Sequence, residues 1–89
     1  MAIFMLHFDS CASGAAEAHV TADACAITDT LEDAEALARK AIDARGYHVD
    51  HLIVYSRLEK SQLAGLREYE TLLYLKALKR KPSVAVMFS

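Results

Sequence analysis

Apolar positions recur along this chain with two different periods, and the switches between them predict the order of its elements. Residues 2–8 are almost continuously apolar, with Phe4, Leu6 and Phe8 on one side and Ile3, Met5 and His7 on the other. A short run that is apolar on both faces predicts a central strand. Asp9 to Gly14 reads as a turn. Residues 17–27 fit either an alanine-rich helix or a strand. A strand at the sheet edge is preferred, because so short a turn returns most naturally as a hairpin.

A helical period follows. Leu31, Ala34, Leu37, Ala38, Ala41 and Ile42 make one apolar stripe, with Glu35 and Arg39 spaced to meet on the wet side. Asp29 is the predicted N-cap, with Glu32 three residues on, and Gly46 is placed to end the helix. Residues 48–56 predict a third strand, apolar on both sides at Leu52, Ile53, Val54 and Tyr55. A second helix is expected from Glu59 to Arg80, stopped before Pro82, and Ser83–Phe88 reads as a fourth strand.

The predicted fold class is α+β, a single domain over residues 1–89. Right-handed crossovers through both helices give a two-layer ββαβαβ sandwich. Its four-stranded mixed sheet has the order 2-1-3-4, with both helices on one face. The two-layer form resembles ferredoxin-like small domains, although their usual order is βαββαβ. On this reading the second sheet face is bare and carries several large apolar side chains. A homodimer packing sheet on sheet is the expected cover.

Composition sharpens that expectation. Hydrophobic residues make up 54% of only 89 positions, more than a small core readily hides. The net charge of −2 supplies no field for collecting nucleic acid or acidic membranes. No apolar run approaches the ~20 residues of a membrane helix, and the amino-terminal stretch lacks the basic start of a secretory signal. A cytoplasmic location is the expectation. Cys11 and Cys25 are too few for a disulfide framework and lack CxxC spacing.

Candidate chemistry gathers by topology. His7 ends the first predicted strand, His19 opens the second, and His48 and His51 open the third. All four belong at one sheet edge, with Asp9, Cys11 and Asp50 nearby and both helix C-termini pointing there. Imidazole, thiolate and carboxylate are zinc-class ligands, so His7, His19 and His51 are the candidate metal ligands. Against this, His48 and His51 on a regular strand face opposite sides, and no HExxH or paired CxxC motif is present. A nucleophilic Cys11, with His7 or His51 as base and Asp9 or Asp50 as orienter, is a further candidate. Lys76, Lys79, Arg80 and Lys81 form a basic run suited to anions or nucleic acid. The same cations complement the end of a helix without any ligand.

No motif names a cofactor, since neither GxGxxG nor GxxxxGK[ST] occurs. The expected function is a homo-oligomeric, non-enzymatic binding or regulatory protein whose ligand the sequence does not identify. The first alternative is a metal-binding or enzymatic protein using His7, His19, His48 and His51. The second is a weak nucleic-acid binder using the basic run.

Overall fold

The computed structural model describes residues 1–12 and 19–88. Four strands, β1 (Ala2–Ala12), β2 (His19–Thr28), β3 (Tyr47–Leu58) and β4 (Val84–Phe88), form one sheet. Helix α1 (Leu31–Ala44) joins β2 to β3, while a 3-10 turn (Lys60–Gly65) and helix α2 (Glu68–Lys79) lead to β4.

The chain is α+β, as its pattern predicts, but the sheet is antiparallel throughout and its order is β3-β1-β2-β4. The expected mixed sheet of order 2-1-3-4 places the last strand wrongly. β4 pairs antiparallel with β2, not parallel with β3. The cause lies in the second helical segment, which is not one helix. Its chain is extended at Leu66 and Arg67, and α2 restarts there with the Arg67 amide donating to the Glu70 carboxylate at 3.0 Å. The crossover rule applies to parallel strands joined by a simple helix, and this broken connection is outside it. The strands in the middle are therefore β1 and β2, while β3 is an edge.

The helices do not share a face. Ala34, Ala38 and Ile42 of α1 pack on Phe4, Leu6, Phe8 and the alanines Ala22, Ala24 and Ala26. Leu73 and Ala77 of α2 pack on Met5, Cys25 and Ala85, which are the opposite parity of the same strands. The expected two-layer sandwich with a bare second face is thus replaced by a sheet with one helix on each side. That removes the argument on which the sheet-on-sheet dimer rested. Large apolar residues remain exposed at Ile53, Val54 and Tyr55 of β3 and at Leu72, Leu75 and Leu78 of α2. No helix among the described residues is long and apolar enough to cross a membrane.

Local chemistry explains the other departures. β1 runs through Asp9, Ser10 and Cys11, which compose like a turn, because it is paired on both sides along this stretch. The last residues of the predicted turn, 13 and 14, lie outside the described residues, as do 17 and 18. From His19 onward the ambiguous segment is strand, and ladders on both sides override its alanine content. The N-cap of α1 is Thr30, not Asp29. Its extended backbone lets Oγ1 accept from the Asp33 amide at 3.1 Å. Gly46 follows α1 with φ +84°, the left-handed conformation expected of it. Phe8, Leu6 and Ile42 are fully buried, and each contributes about 1.5–3 kcal/mol. Ser10 is also fully buried, and its hydroxyl has no partner among the described residues.

Candidate metal centre

The site is built by strand register. Cys11 of β1 stands opposite His19 of β2 and His48 of β3, and Asp9, two residues back, stands opposite His51. Residues directly opposite in a ladder share a face, so these side chains all project to the α2 side of the sheet. That face is apolar where α2 covers it, around Met5 and Cys25, and becomes polar from His7 to Cys11.

A β-bulge makes this possible. Asp9 pairs with His51 and Ser10 with Val49, so Asp50 is an extra residue in β3. Without it His48 and His51 point to opposite faces, as strict alternation requires. With it both look the same way and the Asp50 carboxylate enters the cluster. The bulge has no motif in the sequence. This corrects the expectation that the two rings diverge.

Cys11, only 6% exposed, forms the floor. Its thiol donates to Asp50 Oδ2 at 3.2 Å, and its sulfur lies 3.4 Å from His19 Nδ1. His19 Nδ1 is 3.6 Å from Asp50 Oδ2 and 3.8 Å from Asp9 Oδ1. His48 Nε2 is 3.9 Å from Asp50 Oδ1, and His51 Nδ1 is 3.9 Å from Asp9 Oδ2. Two donor triads result, Cys11–His48–Asp50 and Asp9–His19–Asp50, each with its donor atoms within 4.8 Å of one another.

Of the three candidate ligands named from sequence, His19 stands inside these triads and His51 contacts them through Asp9. His7 does not join them. Its Nδ1 pairs with Asp23, which faces it across β2. Cys11, Asp9, Asp50 and His48 complete the set. Only one helix end serves this edge. α1 runs through Gly46 into Tyr47 and His48, whereas the chain after α2 turns at Pro82 into Val84, opposite Ala26 at the other end of the sheet.

Electrostatics separates the two readings of Cys11. Its hydrogen bond to Asp50, its burial and the negative charges of Asp50 and Asp9 all raise the thiol pKa above its ordinary value of 9.0. A nucleophilic cysteine needs the reverse. Nor do its proposed bases adjoin it, since the imidazole in contact is that of His19, not His7 or His51. A divalent cation at this position would take the place of the thiol proton and offset two of the three negative charges.

The basic run lies on another part of the molecule. Lys76 and Lys79 occupy the last turn of α2, Arg80 caps it and Lys81 follows. All four are exposed, and none makes an ion pair among the described residues. Arg80 and Pro82 face Lys40, Leu37 and Ala41 of α1 across a groove of about 300 Å³.

Compared with known proteins, the chain matches no family model, no curated protein and no solved structure. The functional reading therefore rests on this geometry.

Proposed function

We propose that this chain is a divalent transition-metal-binding domain of zinc-type preference, with Cys11, His19 and Asp50 as ligands and with Asp9 and His48 beside them. One observation carries the reading. The Cys11 sulfur, His19 Nδ1 and Asp50 Oδ2 form a triangle with sides of 3.4, 3.6 and 3.2 Å. Donors on one tetrahedral zinc stand about 3.3–3.8 Å apart, because its bonds are roughly 2.0–2.3 Å long. Mixed sulfur, nitrogen and oxygen donors favour zinc, cobalt or iron over calcium or magnesium. The donors come from β1, β2 and β3, so a bound ion ties three strands together. His19 and His48 are exposed, which leaves solvent access to a further coordination position.

The test uses untagged, metal-free protein titrated with Co²⁺ and Zn²⁺. Co²⁺ is expected to give a thiolate charge-transfer band that Cys11→Ser abolishes, and Zn²⁺ is expected to displace it. Circular dichroism checks that the variant is folded. Absence of the band, with equal zinc uptake by wild type and Cys11→Ser, overturns the assignment.

A further inference from the structure

We infer that α2 pairs back to back with α2 of a second copy of this chain, antiparallel across a two-fold axis, through Leu72 and Leu75. Leu73 and Ala77 already bury the inner side of this helix against the sheet. Its outer side is apolar as well, with Leu72, Leu75 and Leu78 exposed by 46, 46 and 51%. Helix α1 shows what a solvated outer side looks like in the same chain. Its exposed positions hold only alanines, Glu32, Asp33, Lys40 and Asp43. A helix that is apolar on both sides is one that buries both.

The order of residues along the outer side of α2 names the occupant. Glu68, Leu72, Leu75 and Lys79 follow one another at spacings of four, three and four, the repeat of a helix–helix seam. This seam is acidic at its start, leucine in its middle and basic at its end, so it is complementary to its own reverse. With the two-fold axis midway between Leu72 and Leu75, each Leu72 lies level with Leu75 of the second copy. The same axis brings each Glu68 level with Lys79 of the second copy, because both residues lie equally far from it along the helix. Helix axes about 8–10 Å apart put a carboxylate and an ammonium at these positions within reach.

Neither Glu68 nor Lys79 makes an ion pair within the chain among the described residues. A net charge of −2 sets little repulsion between copies. An acidic lipid surface suits the leucines but not Glu68, which would be pressed against like charge. The metal-cluster residues lie on β1, β2 and β3, so the pairing does not depend on the metal reading. One short seam makes a small interface, and small interfaces belong to weak, reversible complexes.

Sedimentation equilibrium of chelator-treated protein, from low micromolar to near-millimolar concentration, is expected to show a reversible monomer–dimer equilibrium. Leu75→Glu is expected to raise its Kd about tenfold or more, with circular dichroism checking that the variant is folded. At low salt, Glu68→Lys and Lys79→Glu are each expected to weaken the dimer severalfold, because like charges then meet at both ends of the seam. Combining them restores both pairs with their signs exchanged and is expected to recover the wild-type Kd. A monomer at every concentration overturns the pairing, and one that instead binds phosphatidylserine vesicles names a lipid surface as the occupant. A dimer indifferent to Leu75→Glu also overturns it, placing the contact elsewhere on the molecule. A double variant no tighter than the single ones overturns the antiparallel register.

Discussion

The rings of Tyr47 and Phe88 stack with centroids 4.4 Å apart and planes inclined by 24°. These residues lie on β3 and β4, the two outer strands of the sheet. Neighbouring strands are about 4.8 Å apart, so a flat sheet would separate its outer strands by roughly 14 Å. The contact is therefore a measure of how far the sheet curls around α1. It closes the core beyond the small alanines of β2.

A double-mutant cycle tests that closure. Tyr47→Ala and Phe88→Ala are each expected to destabilise the fold by about 1–3 kcal/mol, since both rings are half-buried. Denaturant unfolding of the double variant is expected to show a coupling of about 0.5–1.5 kcal/mol. Strict additivity would mean that the rings are neighbours without being partners.

Metal uptake is expected to release a proton from Cys11 at neutral pH. Asp50, burial and Asp9 hold the thiol protonated above its ordinary range, while a metal-bound sulfur is a thiolate. The apparent zinc affinity therefore rises with pH, by about one log unit per pH unit from this group alone below its pKa. Calorimetry at pH 7 in two buffers of different ionisation enthalpy counts the proton. A heat independent of buffer, or a Cys11→Ser variant with the same pH slope, contradicts the expectation.

Cys25 gives the opposite kind of thiol. Fully enclosed beneath α2 and away from the cluster, it is pushed by burial from 9.0 to about 12. The unfolded chain ionises this thiol above pH 9 while the folded chain does not. The stability that the neutral buried thiol confers is thus complete below pH 9 and is lost as pH rises toward 12. Urea unfolding at several pH values is expected to show wild type losing up to about 1.4 kcal/mol per pH unit relative to Cys25→Ala over this window. Parallel curves for the two proteins would show that the thiol is not desolvated in the fold.

Periodicity made some of this structure legible and left specific parts hidden. The α1 stripe and the glycine that ends it were readable because they depend on residues four or fewer apart. The apolar run of β1, greasy on both faces, likewise identified a strand that is central. The end of β1 was not readable, since Asp9, Ser10 and Cys11 favour a turn until ladders on both sides hold them extended. The place of β4 depended on a break near Gly65 that periodicity runs through. The burial of Leu52 to Tyr55 was misjudged for a related reason. An apolar run shows that a strand is greasy on both faces but not which neighbours it has. At the candidate site, topology was enough to bring four histidines to one end of the face. Choosing among them required the bulge at Asp50 and the pairing of His7 with Asp23, both set by register between distant segments.

The irregularity of β3 also bears on solubility. Ile53 is a second extra residue, since His7 pairs with Val54 and Phe8 with Leu52. Twelve residues of open rim bearing Leu52, Ile53, Val54 and Tyr55 would otherwise offer a straight template for a foreign strand. Two insertions within four residues shift the spacing of donors and acceptors along that rim, so an incoming regular strand stays in step with it only briefly. The kink that turns His51 toward the cluster therefore also shields a greasy margin from runaway stacking.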